Sequence, residues 1–281
     1  MIDALAPDFI RRIRWTADRI AVEREARLRA LVRLAIARSP WHRERLAGVD
    51  PDRLTEADLP RLPTMTKRDV MRHFDAITTG LGTRELHTSG SSGERGVFVY
   101  SDRGLATWAL CFMRFALRDV PVGGLTVTLA ASDDNHASSA CARLVPGAIV
   151  LDMHVPLART CARLEELQPT TLIGYASLLE RLAAVTDLGI APKCIISTSE
   201  PLDLAARRAM EAAWHAEVLD VYATTEGLIA PSCGHGSLHV NDDVCILENV
   251  GGKAYLTNLY SDAQPLIRYE LGDELAWAAD R

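Results

Sequence analysis

Apolar residues recur at helical spacing near the start of the chain, where Ile10, Leu28 and Leu31 belong to an apolar face over residues 8–38. This pattern predicts one or two amphipathic helices. Arginine is frequent between the apolar positions, but acidic residues are interleaved with it, so we interpret the polar side as a solvated face. Prolines then interrupt the pattern over residues 39–66, which favours a connecting layer of short helical pieces.

From residue 97 the chain alternates between short apolar runs and longer stretches with helical spacing. Alternation of this kind is typical of βαβ units, in which helices cover a largely parallel sheet and ligands bind at the loops after strand ends. The predicted strands and helices follow one another at residues 97–100, 104–118, 125–130, 137–145, 148–151, 157–167, 171–173, 175–188, 194–197, 202–215 and 217–222.

The pattern changes after residue 226, where glycines separate two short apolar runs at about 244–248 and 253–258. We interpret these runs as strands of antiparallel hairpins. The whole pattern predicts an α/β fold with a small β region near the C-terminus. In this fold a helical N-terminal segment, residues 1–80, packs on an α/β core formed by residues 81–281.

The composition is that of a globular protein, because 48% of the 281 residues are hydrophobic and 24% are charged. With 37 acidic and 31 basic residues the net charge is -6, so we expect no nucleic-acid partner. The sequence has neither a long apolar run nor the pattern of a secretory signal, which favours a cytoplasmic protein without membrane attachment. The six cysteines are scattered singly, as reduced thiols are. A homodimer is left open as the assembly state.

A loop rich in glycine and hydroxyl residues, His87-Thr88-Ser89-Gly90-Ser91-Ser92-Gly93-Glu94-Arg95-Gly96, precedes the strand predicted at 97–100. Glycines allow backbone N-H groups to approach an anion, and the hydroxyl groups add hydrogen-bond donors, so the loop suits phosphate. A flexible linker has a similar composition. The loop lacks the Gly-Lys-Ser/Thr ending of a Walker loop, which disfavours ordinary P-loop chemistry.

Two further motifs follow in order, Tyr222-Ala223-Thr224-Thr225-Glu226-Gly227 and Pro265-Leu266-Ile267-Arg268-Tyr269-Glu270-Leu271-Gly272-Asp273. Together with the loop they resemble the adenylate-forming superfamily of acyl-CoA synthetases, AMP ligases and luciferases. The segments at 37–42, 62–67 and 197–202 are similar to the phenylacetate-CoA ligase branch. The resemblance implies the α/β fold of the adenylating N-terminal domain.

The resemblance also implies ATP-dependent activation of a carboxylic acid as an acyl-adenylate, with ATP/AMP and Mg²⁺ as cofactors. The acyl group would then pass to CoA, a carrier protein or an amine. Catalysis of such a displacement rests on positioning and on neutralising phosphate charge. Arg95 stands where relatives carry a loop lysine, and its guanidinium is expected to take over the phosphate contact.

Each motif residue receives an expected role from the resemblance. Tyr222 is expected against the adenine, Thr225 beside the α-phosphate, Glu226 on Mg²⁺ and Asp273 on the ribose, with Glu200 near the adenine or the substrate. Taken singly, Tyr222 could instead be a core aromatic, Glu226 a cap and Asp273 part of a turn. The residues expected at the β- and γ-phosphates are Thr88, Ser89, Gly90, Ser91, Ser92 and Gly93.

Polar residues after predicted strands are candidates for the acyl pocket. His136 follows the strand at 125–130, and Gly174 and Tyr175 follow the strand at 171–173. Ala223, within the second motif, is a fourth candidate. The alternative for these positions is that they are loop and helix-capping residues.

A Cys/His cluster in the last third of the chain has the ligand chemistry of Zn²⁺. It consists of Cys233, His235, His239 and Cys245. The spacing lacks paired CxxC units, so loop histidines and free thiols are the alternative to a zinc site.

Members of the superfamily continue past the Gly-Asp segment into a small C-terminal domain that brings a lysine to the carboxylate. This chain stops at Arg281 and its last lysine is Lys253. We therefore favour a piece of a longer enzyme over a natural short form that acts with a partner, and expect slow adenylation by this chain alone. The alternatives are a CoA ligase cut before its C-terminal domain and a nucleotide-binding scaffold without turnover.

Overall fold

The structure is a computed structural model that describes residues 1–88, 96–119, 124–143, 147–233 and 236–277. The region up to residue 80 is helical. Its elements are α1 (Ile2–Arg12), α2 (Ala17–Arg38), α3 (Pro40–Arg45), a 3-10 helix (Glu56–Arg61), α4 (Lys67–Arg72) and α5 (Phe74–Ile77).

Local sequence signals explain where these helices begin. Thr16 caps α2 by accepting a hydrogen bond from the Arg19 N-H, and Ser39 does the same for α3, with Pro40 in the first helical turn. Thr66 and Asp69 form a reciprocal capping box at the start of α4. The apolar pattern at 8–38 thus belongs to two helices.

A mostly parallel sheet forms the centre of the α/β region, as the alternating pattern predicts. Its strands lie in the order β4-β3-β5-β6-β7-β8, and only β8 is antiparallel to its neighbour. The elements of this sheet and its helices are α6 (Asp102–Asp119), β3 (Thr126–Ala130), α7 (Ala137–Ala142), β4 (Ile149–Asp152), α8 (Leu157–Leu167), β5 (Thr171–Tyr175), α9 (Ala176–Ala183), β6 (Cys194–Thr198), α10 (Leu204–Trp214), β7 (Glu217–Thr224) and β8 (Gly227–Pro231).

Two smaller antiparallel sheets complete the described part of the chain. A hairpin of β1 (Arg84–His87) and β2 (Val97–Tyr100) carries the Gly/Ser loop between its strands. Near the C-terminus β9 (Cys245–Val250), β10 (Lys253–Asn258) and β11 (Tyr269–Glu270) form a three-stranded sheet. The hairpin predicted from the two glycine-separated runs is β9 and β10.

Both faces of the parallel sheet are buried. Along β6, Ile195 packs in one hydrophobic cluster with Leu164 and Trp214, while Ile196 packs in the other cluster with residues of the helical region. Apolar side chains on both faces are expected for a parallel sheet that is covered by helices.

The helical region is fastened to the segment 265–268 by buried polar contacts. His42 Nε2 lies 2.9 Å from the Pro265 carbonyl oxygen, and an Arg45 N-H donates to the Ile267 oxygen at 2.8 Å. Arg268 reaches back and donates to the Leu62 oxygen at 2.5 Å. These bonds connect the helical layer to the strand that carries the third motif. No described helix combines the length and apolar character that crossing a bilayer requires.

Candidate active site

A cavity of about 780 Å³ opens at the carboxyl ends of the parallel strands. Tyr175, Thr198 and Thr224 line it from the ends of β5, β6 and β7. This position is the one at which α/β sheets bind ligands, and the volume suits a small-molecule site. All three sequence motifs contribute to the walls, through Thr88, through Ala223, Thr224, Thr225 and Glu226, and through Tyr269, Glu270, Leu271, Gly272 and Asp273.

The two ends of the Gly/Ser loop are tied together at the cavity wall. The Thr88 N-H donates to the Gly96 oxygen at 2.9 Å, and the Gly96 N-H donates to Thr88 Oγ1 at 2.8 Å. A Cβ at Gly96 would lie 2.8 Å from Lys67 Cε and 3.2 Å from atoms of Phe98 and Thr88, so the side chains of these three residues surround the glycine closely. The predicted phosphate residues Ser89, Gly90, Ser91, Ser92 and Gly93, and Arg95, lie outside the described residues.

The second motif forms the turn between β7 and β8, and hydrogen bonds fix its backbone. Tyr100 Oη donates to the Thr225 oxygen at 2.5 Å, and Asn258 Nδ2 donates to the Glu226 oxygen at 2.7 Å. The Glu226 N-H donates to Thr224 Oγ1 at 3.2 Å. The turn therefore holds Thr225 and Glu226 at the cavity wall.

Glu226 is a buried carboxyl group, 8% exposed, that lines the cavity. Burial raises its pKa, while hydrogen bonds from Tyr269 and Thr224 act in the opposite direction. A carboxylate beside threonine hydroxyl and main-chain oxygens has the donor chemistry that Mg²⁺ prefers, so these residues fit that ion. A divalent cation would stabilise the charged form that burial disfavours.

Tyr222 and Asp273 are joined by a hydrogen bond of 2.7 Å from Tyr222 Oη to Asp273 Oδ2. Asp273 is among the residues that line the cavity, whereas Tyr222 is not. Burial and the bond to Asp273 both raise the pKa of Tyr222, so the phenol stays protonated and donates. The tyrosine thus orients the carboxylate that faces the cavity.

Three of the four predicted substrate residues, His136, Tyr175 and Ala223, line the cavity. His136 Nδ1 lies 2.8 Å from Ser138 Oγ and accepts a hydrogen bond from the Ser138 N-H. Gly174 does not line the cavity: a side chain there would contact Leu129 and Leu179 at 3.3–3.4 Å. It permits close packing of α9 on the sheet.

Glu200 is not brought into the cavity. Its carboxylate accepts a hydrogen bond of 2.8 Å from the Ser177 N-H, in the first turn of α9. The contact satisfies one of the free amide groups at that helix end.

The described residues do not support a zinc site. No group of three or more His, Cys, Asp and Glu side chains among them could hold a metal ion. Cys245 is buried in the hydrophobic core and burial raises its thiol pKa, which disfavours the thiolate that zinc needs. His239 is exposed, Cys233 is partly buried and His235 lies outside the described residues.

Several cavity residues were not among the sequence candidates. Trp108, Phe112 and Ile173 supply apolar wall, and Lys67 supplies a cation beside the Gly/Ser loop. Lys67 belongs to the segment 62–67 that carries part of the resemblance, so the motif itself held a signal. The apolar residues lie on α6 and β5. In the sequence, no local pattern distinguishes them from residues of the hydrophobic core.

Known proteins resemble this chain weakly in sequence and more clearly in fold. No protein-family model matches the chain. Protein CapK from Staphylococcus aureus is 25% identical over 248 residues, which are 79% of this chain and 55% of CapK. The chain thus spans about half the length of that curated relative.

Solved structures of 2-hydroxyisobutyryl-CoA ligase superimpose over most of the chain. The complex with 2-HIB-AMP and CoA in the thioesterification state gives a TM-score of 0.78 at 19% identity, covering 94% of this chain and 65% of the ligase. The open conformation gives 0.75 at 20% identity, covering 91% and 69%. The α/β fold of an adenylating N-terminal domain is thereby confirmed, whereas the phenylacetate-CoA ligase branch stays a prediction.

Proposed function

We propose that this chain binds ATP and a carboxylic acid in the cavity and joins them as an acyl-adenylate. The main support is that three motifs, far apart in the sequence, meet at this cavity through Thr88, Thr225, Glu226 and Asp273. Structural neighbours of this fold include a ligase crystallised with an acyl-AMP. Because these four residues meet at one cavity, a shared role in binding a nucleotide is favoured. The alternative, in which each residue only caps a helix or forms a turn, does not require them to meet.

In the proposed reaction a carboxylate oxygen attacks the α-phosphorus of ATP. A new P-O bond forms, the bond to the β-phosphate oxygen breaks, and pyrophosphate leaves. The chain contributes positioning: Thr225 donates at the α-phosphate, Asp273 accepts from the ribose hydroxyls, and Tyr222 keeps Asp273 in place. The Gly/Ser loop that starts at Thr88 holds the departing phosphates.

Glu226 is the proposed ligand for Mg²⁺, together with oxygens of Thr224 and Thr225. The ion would neutralise phosphate charge during displacement. Because Tyr269 and Thr224 hydrogen-bond to the carboxyl group, its oxygens are oriented before any ligand arrives.

The acid is proposed to carry an apolar body. Trp108, Phe112 and Ile173 would pack on that body, and His136 and Ser138 supply polar groups to the cavity lining. CoA is the proposed acceptor, because the 2-hydroxyisobutyryl-CoA ligase of this fold was crystallised with CoA.

Acid-dependent exchange of labelled pyrophosphate into ATP tests the proposal. A panel of aliphatic and aromatic acids should include at least one that supports exchange. Glu226→Gln should abolish the exchange, and the matched control Glu217→Gln, exposed at the start of β7 and not among the cavity-lining residues, should keep it. Exchange with no acid of the panel contradicts catalysis, and ATP binding without exchange favours a nucleotide-binding scaffold.

A further inference from the structure

We propose that Lys67 binds the β- and γ-phosphates of the nucleotide. This inference rests on the proposed function, that the cavity binds ATP. It assigns the phosphate end of the cavity to a cation from the helical N-terminal region, in addition to the Gly/Ser loop.

The position of Lys67 beside that loop is the first observation. Its side chain lines the cavity together with Thr88. Lys67 Cε passes so close to Gly96 that a Cβ at the glycine would lie 2.8 Å from it. Lys67 therefore lies against the point where the Gly/Ser loop returns to β2.

The backbone just before Lys67 is hydrogen-bonded to the third motif. The Met65 N-H donates to the Arg268 oxygen at 3.0 Å, and the Glu270 N-H donates to the Met65 oxygen at 2.8 Å. Met65 itself is fully buried, and the capping box of Thr66 sets the start of α4. The lysine thus starts from a rigid anchor next to the segment that ends in Asp273, which favours a preorganised charge.

Charge in the cavity is the third observation. The carboxyl groups of Glu226, Glu270 and Asp273 line it. Among the described lining residues the cations are Lys67 and Arg68, and Arg68 is exposed. A triphosphate in this cavity needs positive charge at its far end, and a compact ammonium group on a flexible stem suits a phosphate oxygen.

The chain has three lysines, and their structural environments differ. Lys253 Nζ pairs with Glu270 Oε1 at 2.7 Å, and Lys193 is exposed at the opposite ends of the strands, where its N-H donates to the Thr170 oxygen. Lys193 is the matched control, since the same change there removes an exposed lysine that does not line the cavity.

Calorimetric titration of ATP and AMP separates a phosphate contact from a general defect, because AMP lacks the β- and γ-phosphates. Lys67→Met should weaken ATP binding by about tenfold or more and change AMP binding less than twofold. Lys67→Arg should retain part of the ATP affinity, and Lys193→Met should retain all of it. Unchanged ATP affinity in Lys67→Met, or equal losses for ATP and AMP, overturns the proposal.

Lysine acetylation of the unaltered chain gives a second test that needs no variant. Mass spectrometry should show that ATP protects Lys67 more than AMP does and leaves Lys193 unprotected. Equal labelling of Lys67 with and without ATP, under saturating ATP, overturns the proposal. Absence of any ATP binding by the unaltered chain instead contradicts the proposed function itself.

Discussion

The buried imidazole of His42 makes the stability of this protein sensitive to mild acid. The ring is fully buried, with Nε2 2.9 Å from the Pro265 oxygen and Nδ1 3.4 Å from an Arg45 guanidinium nitrogen. In the neutral ring Nε2 donates to the carbonyl and Nδ1 faces the arginine as an acceptor. A second proton would point at a cation, so burial and Arg45 lower the pKa of His42 to about 3.

The pKa of His42 differs between the folded and unfolded states, and this difference sets the direction of the pH dependence of stability. The unfolded chain binds a proton near pH 6.5, whereas the folded chain does so only near pH 3. Below pH 6.5 the unfolded state therefore binds more protons, and stability falls as the pH falls toward 3. At pH 5 the loss is about 2 kcal/mol, because each pH unit below 6.5 contributes about 1.4 kcal/mol.

Urea unfolding at pH 7.5 and pH 5.0 measures this loss, and His42→Gln isolates it. The glutamine amide can donate to the Pro265 oxygen but does not titrate. The difference in unfolding free energy between the two pH values should be smaller in the variant by about 2 kcal/mol. All other titrating groups are shared, so they cancel. The same pH dependence in both proteins would refute this account of His42.

Three further changes test the turn and its partner strand. Glu226→Gln should raise the melting temperature at pH 7 by about 2 °C or more, because a buried carboxylate is replaced by a neutral isostere, while pyrophosphate exchange is lost. Tyr222→Phe removes the hydrogen bond to Asp273 and should weaken nucleotide binding about fivefold in calorimetry, against no change if the bond is incidental. Gly227→Ala should lower the melting temperature, because φ is +156° there and the new Cβ would lie 3.0 Å from Asn258 Nδ2.

Elements with strong local patterns are predictable from the sequence. The helix at 157–167 and the strand at 253–258 match α8 and β10 in both bounds. The helix predicted at 175–188 ends earlier, at Ala183: the Val185 N-H donates only three residues back, to the Leu182 oxygen, and the chain then turns through Asp187, where φ is +62°. Hydrophobic periodicity does not report that turn, so the helix was predicted too long.

Strands that depend on distant partners were harder to predict. Two of the four residues of β1 are exposed, so its sequence is also typical of a polar loop. Its strand character is apparent only from its pairing with β2 across the Gly/Ser loop. β8 is a short apolar run that could belong to several kinds of element. In both cases the pairing is tertiary information that the local pattern lacks.

The residues of the candidate site also differ in how far the sequence could predict them. Motif order identified the segments of Thr88, Glu226 and Asp273, which do meet at one cavity. It did not identify Lys67, which reaches the cavity only because Met65 pairs with the third motif more than 200 residues later. Motif position also did not reveal that the Glu200 carboxylate accepts a hydrogen bond from the first turn of α9, and its proximity to the nucleotide stays a prediction.

Oxygen transfer from the acid to the nucleotide tests the central claim most directly. The acid that best supports exchange, labelled with ¹⁸O in its carboxylate, is incubated with ATP and the protein, and hydroxylamine traps the acyl group. Attack of the carboxylate on the α-phosphorus leaves one ¹⁸O in AMP and none in pyrophosphate, and this is the result we predict. Unlabelled AMP, or ADP together with labelled phosphate, would contradict the formation of an acyl-adenylate in this cavity.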